Sequence, residues 1–287
     1  MSSKILTSSM VKKYIPPRKV TSRKGDNGKV LVVGGSYIYH GAPILSSLAA
    51  LRTGADLVYT AVPKVNAHET KASSPDLIVI PLADSKLTRG SVNKLLGQVP
   101  AGIDSAAIGM GLAVQDIEAL KLLIKSLIER DVRLSLDASA LRKDILPVIK
   151  GKNILVTPHP GEFERLFGEK IPIDKKTRIS IVEKHAKKNL LTIMLKGSDD
   201  IISDGSKTLI NSKKTPAMTV GGTGDVLSGI AASMLSRNRN VIEAAASAAF
   251  LNGQAGKIIQ KQFGMHMIAS DLIDALPIVS KTFDRIK

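Results

Sequence analysis

Short apolar runs alternate along the chain with stretches whose apolar residues recur at helical spacing, and no other feature constrains the fold as tightly. Residues 29–33 (KVLVV) form one such run and stop at Gly34-Gly35, as a buried strand does. Ile44, Leu48 and Leu51 then follow at helical spacing up to Gly54. Runs at 57–62, 77–82, 132–136 and 154–156 read as strands, and others end at Ile108 and Leu195. Ile117, Leu120, Ile124, Leu127 and Ile128 make a helical stripe, and further helices are predicted from near Thr223 and across 241–260. The segment 201–211 reads as an antiparallel pair turning at Asp204-Gly205. Strand and helix in alternation mean an α/β fold, a mostly parallel central sheet with helices on both faces. Such sheets bind ligands beyond the carboxyl ends of their strands, where the glycine-rich and charged segments of this chain fall. Residues 1–20, closed by Pro16-Pro17, are expected as a short basic arm, and residues 21–287 as a single domain.

Composition narrows the function classes. Hydrophobic residues at 44% and charged residues at 23% suit a soluble globular chain, and 287 residues bury roughly three quarters of the unfolded surface. Trp is absent and aromatics are 3%, so the core is aliphatic. Cysteine is absent, which excludes disulfides, thiol nucleophiles and cysteine-bound zinc. With no membrane-length apolar run and no signal-like N-terminus, the cytoplasm is the expected compartment and no membrane the expected partner. The net charge of +16 attracts anions, whether nucleic acid or nucleotide phosphates. No nucleic-acid-binding motif is present, and the five Phe and four Tyr form no stacking cluster, so no nucleic acid is expected as a partner.

The segment with the most chemistry in it is Val220-Gly221-Gly222-Thr223-Gly224-Asp225-Val226-Leu227-Ser228-Gly229. Glycines let backbone approach a ligand, and the helix that opens near Thr223 presents unpaired N–H groups and positive partial charge. Gly222, Thr223 and Gly224 thus make an anion hole for a phosphoryl group in transfer. Asp225, in the first turn beside it, is placed to take a proton from an attacking hydroxyl. No GK[ST] follows, so this is not a Walker A loop.

This run resembles the anion-hole and catalytic-base motif of the ribokinase-like superfamily, in the form found in the NAD(P)H-hydrate dehydratases. Further segments are similar in the same order: GKVLVVGGS, Gly41-Ala42-Pro43, Ala50-Leu51-Arg52-Thr53-Gly54-Ala55-Asp56, Gly109-Met110-Gly111-Leu112, Thr157-Pro158-His159-Pro160-Gly161-Glu162 and Leu195-Lys196-Gly197. The resemblance spans about residues 20–275. It implies a ribokinase-like fold and a hydro-lyase that repairs the S epimer of NADH or NADPH hydrated at C6 of the nicotinamide. The C6 hydroxyl would be phosphorylated and phosphate lost, giving NAD(P)H, AMP from ADP, and phosphate. ADP is the expected phosphoryl donor, with ATP as the alternative, and Mg²⁺ the expected ion. Only about twenty residues precede the first motif, so the resemblance points to a standalone form working with a separate epimerase, and to a homo-oligomer such as a tetramer.

Residue by residue, the resemblance assigns Asp225 as base beside Gly222, Thr223 and Gly224. Ala42, Gly111, His159 and Asp225 would contact the hydrated dinucleotide. Lys196, Gly197, Ser198, Asp199 and Asp200, with Gly224, would line the adenine nucleotide; many bacterial members carry Thr where Asp200 stands. Glu162 would organise Mg²⁺ through water, and Pro160-Gly161 would set a tight turn between it and His159. Asp137, at a strand end, is a candidate for holding the ion or a loop. Two rival readings remain: a ribokinase-like small-molecule kinase of the hydroxyethylthiazole or hydroxymethylpyrimidine type, which would leave a stable phosphate ester, and a basic nucleic-acid-binding protein, which would show salt-dependent oligonucleotide binding.

Overall fold

The computed structural model describes residues 3–287. Ten strands form one sheet: β1 (Lys4–Ile5), β2 (Lys29–Val33), β3 (Leu57–Pro63), β4 (Ile78–Leu82), β5 (Ser105–Ile108), β6 (Arg133–Leu136), β7 (Leu155–Val156), β8 (Thr192–Leu195), β9 (Asp199–Ser203) and β10 (Thr208–Ser212). Their order is β1-β10-β9-β8-β7-β6-β5-β2-β3-β4. From β4 across to β8 every pairing is parallel; β9 runs antiparallel to both β8 and β10.

Both faces are covered. Val30 and Val32 point to one face of the sheet with Ala50 and Ala232, while Leu31 and Val33 join the opposite core with Ile124, Leu127 and Phe163. That alternation, with both sets fully buried, is why β2 reads as an unbroken apolar run. The helices Thr223–Arg237 and Val241–Phe263 pack on the first side through Ile230, Ala245 and Ala249. Small residues allow close approach: a Cβ on Gly229 would lie 1.9 Å from the Ser46 carbonyl oxygen of the helix Gly41–Arg52.

Residues 3–20 are not an arm lying ahead of the fold. Lys4–Ile5 extends the sheet beside β10, and the helix Ser8–Tyr14 buries Val11 completely in the same core as Leu209 and Met234. The apolar residues Ile5, Leu6, Met10, Val11 and Ile15, interleaved with lysines, supply the hidden signal. The following segment pairs with the C-terminus: Arg18 N–H donates to Arg285 O (2.9 Å), and Lys287 N–H to Arg18 O (2.9 Å). The strands and helices expected from periodicity are present, and 201–211 is the antiparallel pair β9–β10. Helices at Lys175–Asn189 and Ala269–Ser280 are additions.

Candidate functional site

The loops that follow β2, β5, β6, β7 and β8 share one edge of the sheet and are tied to one another. Gly35 N–H donates to Met110 O (2.8 Å), Ser139 N–H to Gly109 O (3.2 Å), and Lys196 N–H to Pro158 O (2.8 Å). The helix Thr223–Arg237 begins at this edge. Its N-cap, Gly222, has φ 93°, a conformation open to glycine at little cost. The preceding loop is pinned by Thr223 Oγ1, which donates to Met218 O (3.0 Å).

Four charged side chains meet in front of this helix end. Lys196 Nζ donates to Asp137 Oδ1 (2.6 Å) and lies 3.5 Å from Glu162 Oε2. Asp137 accepts a second bond, from Ser228 Oγ at 2.6 Å, one turn beyond Asp225. A Cβ on Gly224 would lie 3.7 Å from Lys196 Nζ, so this lysine sits against the glycines of the anion hole. Burial alone would lower the Lys196 ammonium, but Asp137 and Glu162 more than offset that and hold it above the usual lysine value. Burial, then Asp137, and less so Glu162, push the Asp225 carboxyl up to about 6 against the pull of Lys196. A carboxylate poised there is suited to proton abstraction near neutral pH. The Asp225 carbonyl accepts from Ser46 Oγ (2.7 Å), which locks the first turn to the helix Gly41–Arg52.

His159 and Glu162 do not flank a tight turn. Pro160 and Gly161 are the first residues of a helix, Pro160–Phe167, for which proline at the first position is well suited. His159 is the N-cap: its Nδ1 accepts from Gly161 N–H (3.0 Å) and Glu162 N–H (3.3 Å), while Glu162 Oε2 accepts from His159 N–H (2.9 Å). Nδ1 is therefore an acceptor and Nε2 carries the proton; Nε2 lies 3.6 Å from Glu162 Oε1, and the side chain is 57% exposed, so it can still meet a ligand. Glu162 is buried, with one oxygen in the cap and towards Lys196.

Ala42 and Gly111 come together at the same edge. A Cβ on Gly111 would lie 3.2 Å from that of Ala42 and 2.7 Å from that of Tyr39. Tyr37, Ile38 and Tyr39 stand exposed above them.

The residues expected around the nucleotide divide. Gly197 and Ser198 line a cavity of about 350 Å³ with Lys213, Lys214, Thr215 and Met218. Asp199 and Asp200 are not in that lining. Asp199 faces Lys175 (2.5 Å) and Ser212. Asp200 is 1% exposed; it pairs with Lys213 (2.6 Å) and accepts from Asn211 and from Gly197 N–H. Its place in β9 turns it inward, so it shapes the loop and holds Lys213 rather than meeting a ligand. Lys196 stands apart from the cavity, with the carboxylates.

Three further residues belong to this region, and their sequence signals differ. Asp137 was signalled by its place directly after a buried strand, as Lys196 was. Ser228 lies inside the VGGTGDVLSG motif, three positions after Asp225, and faces inward. Arg178, in a highly polar helix, gives no sequence signal: its Nε and Nη2 are buried without a partner among the described residues, and Nη2 would lie 2.9 Å from a Cβ on Gly197.

Comparison with known proteins gives concordant matches. The family profile described as NAD(P)H-hydrate dehydratase matches residues 30–278. The chain is 62% identical over 286 residues to an ADP-dependent (S)-NAD(P)H-hydrate dehydratase of Nitrosopumilus maritimus, covering 100% of both. It is 42% identical to a bifunctional NAD(P)H-hydrate repair enzyme of Pyrobaculum aerophilum, covering 93% of this chain and 53% of that one. Among solved structures, an ADP/ATP-dependent NAD(P)H-hydrate dehydratase from Bacillus subtilis, co-crystallised with ATP/Mg²⁺, superposes with a TM-score of 0.83 at 26% identity, covering 99% and 100%.

Proposed function

The chain belongs to the NAD(P)H-hydrate dehydratase family, and we propose that the cluster of Asp225, Asp137, Glu162 and Lys196 at the start of the helix Thr223–Arg237 is where it repairs hydrated NADH or NADPH. It is a nucleotide-dependent hydro-lyase. The observation that carries the site is the Asp225 carboxyl, pushed up to about 6 beside a helix N-terminus capped by glycine.

Hydration adds H at C5 and OH at C6 of the reduced nicotinamide. Asp225 takes the proton of that hydroxyl, and its oxygen attacks the terminal phosphoryl of the nucleotide. With ADP, the bond between the β-phosphorus and the bridging oxygen breaks and AMP leaves. The N–H groups at Gly222, Thr223 and Gly224 face the charge that develops on the phosphoryl oxygens. The ring nitrogen then expels phosphate from C6, and loss of a C5 proton restores the double bond. His159 Nε2, with Ala42 and Gly111 across the cleft, contacts the dinucleotide. Gly197 and Ser198 border the nucleotide, with Lys213 and Arg178 as cations near its phosphates.

Mg²⁺ fits the donor set as an ion shared with phosphates. Three carboxylates face one ammonium here, and after burial the charges of Asp137 and Glu162 add to the rise at Asp225, an excess of negative charge that a divalent ion would relieve. An ion that keeps waters and shares phosphate oxygens needs only one or two carboxylates from the protein. Asp137 and Glu162 would hold it, the latter through water, and it would neutralise phosphate charge.

ADP is the donor we favour. The relatives at 62% and 60% identity are ADP-dependent by name, and Asp200 is buried on Lys213 and does not face the cavity. The test supplies hydrated NADH, Mg²⁺ and either nucleotide, and follows the absorbance of reduced nicotinamide together with AMP, ADP and phosphate release. A kcat/KM for ADP about tenfold above that for ATP, equivalent to about 1.4 kcal/mol, is expected; the reverse preference sinks the donor assignment. An alcohol that instead accumulates as a stable phosphate ester would move the chain to the kinase reading. We also propose that the S-epimer substrate is supplied by an epimerase, as the bifunctional relatives suggest, that the enzyme works as a homo-oligomer, and that it acts in the cytoplasm. Among the described residues no helix is long and apolar enough to cross a membrane.

A further inference from the structure

A second cavity, of about 510 Å³, lies at the opposite edge of the sheet. Its position follows from the helix Thr223–Arg237, whose first turn carries Asp225 and whose last residue lines this cavity. Fifteen helical residues separate the two ends by about 20 Å. Arg18, Arg52, Arg237, Lys281 and Arg285 line it, against a single carboxylate, Asp284.

The basic groups are crowded together rather than paired off. A Cβ on Gly54 would lie 2.9 Å from Arg18 Nη2 and 3.2 Å from Arg237 Nη1, so two guanidiniums flank one glycine. Arg18 leans on Asp56 at 3.6 Å, but that carboxylate already accepts from Gly25 and Asn27 N–H. Among the described residues, neither Arg237 nor Arg285 has a carboxylate within ion-pair distance; each spends a donor on a backbone carbonyl, Thr53 O or Ile15 O. Arg237 Nε, Arg285 Nε and Ser280 Oγ are buried with no hydrogen-bond partner among the described residues, and all three residues line this cavity. Burial and the neighbouring Arg18 depress the Arg237 guanidinium to about 10. Buried unpaired donors and adjacent like charges both cost stability, and an anion would relieve both.

We infer that this cavity is a second, non-catalytic binding site for a phosphorylated small molecule. Guanidinium forks match phosphate oxygens, and Ile15, Met234, Leu251 and Phe283 supply apolar wall for an organic body. A partly enclosed space of this size takes a metabolite and not an extended polynucleotide. Arg18, Lys281 and Arg285 come from the clasped terminal segments, and Arg52 and Arg237 from the ends of the helices Gly41–Arg52 and Thr223–Arg237, so the two parts of the chain build the site together.

Met234 lines the cavity and its sulfur sits 3.8 Å from Arg237 Nη2, whereas Met218 lines the nucleotide cavity at the other edge. Spectra of isotope-labelled methionine methyls therefore report each site separately. With the cleft saturated by ADP, titration of the full chain with pyrophosphate is expected to shift Met234 along a saturable curve. The Arg18→Gln/Arg52→Gln variant is expected to weaken that response about tenfold or more, leaving the Met218 response to ADP unchanged. An unmoved Met234, an equal response in the variant, or an equal response to sodium chloride at matched ionic strength overturns the site. A Met234 response to a single-stranded oligonucleotide but not to pyrophosphate overturns the small-molecule assignment. If the double variant loses its folded spectrum, Lys281→Gln, on an exposed rim residue, is expected to weaken pyrophosphate in the same direction, and no weakening counts against the site.

Discussion

Asp225 is the residue at which function and stability oppose each other. Its folded-state pKa of about 6 stands above the ordinary 3.8, so the folded chain holds this proton more tightly than the unfolded one. The stability this contributes is fully present below about 3.8 and is lost as pH rises through about 6, leaving an ionised, partly buried carboxylate at neutral pH. Asp225→Asn removes that charge with little change of shape. Melting of the variant at pH 7 is expected to match or exceed the parent, by up to about 3 kcal/mol. Turnover is expected to fall about 10²- to 10⁴-fold. In the parent, kcat/KM should drop as pH falls through about 6, and the residual rate of the variant should not. A variant with parental turnover would remove Asp225 from the role of base. Asp225 was legible because its motif is contiguous. Asp137, Lys196 and Ser228 come from three separate segments, and only folding shows that one carboxylate holds both partners.

Helices show where sequence reading succeeds and where it stops. The stripe over Ile117–Glu129 is apolar on one face and polar on the other, and it was read directly. Lys175–Asn189 buries only Val182, His185, Ala186 and Asn189, so its apolar period is lost among lysines, and Arg178 went unnoticed with it. Pro160-Gly161 reads equally as a turn and as a helix start; the cap bonds of His159 and Glu162 decide it. Gly229 was quoted with the motif yet carries a different duty, the close crossing of the helices Thr223–Arg237 and Gly41–Arg52. Gly229→Ala would put a methyl group into the Ser46 backbone and push the helices apart, tugging on the Ser46 bond to Asp225. A cost of about 1–3 kcal/mol is expected, as for overpacking generally. The rate should fall even where the variant is fully folded, because the first turn moves. Denaturant melting beside kcat on the folded protein checks this; a stable variant with normal kcat would show that the crossing does not position Asp225.

For the whole molecule, the +16 charge is a matter of kinetics more than of fold. It was plain from composition, but its distribution was not: within the basic arm expected at residues 1–20, Lys4–Ile5 is an edge strand and Ser8–Tyr14 a packed helix, and Arg18 belongs to a cavity far from Asp225. The substrates, a nucleoside polyphosphate and a phosphorylated dinucleotide, are both anionic, so the general field draws them in. Attraction between exposed charges is screened over about 10 Å at 0.1 M salt, whereas Lys196, buried between Asp137 and Glu162, lies beyond the reach of such screening. Encounter and chemistry should therefore respond differently to salt. Added sodium chloride is expected to lower kcat/KM several-fold, with kcat nearly constant, and the effect should be larger for the more highly charged NADPH hydrate than for NADH hydrate. A parallel fall in kcat and kcat/KM would place the salt-sensitive step after binding and would count against steering. If kcat/KM did not respond at all, the excess of positive charge would have no part in substrate capture.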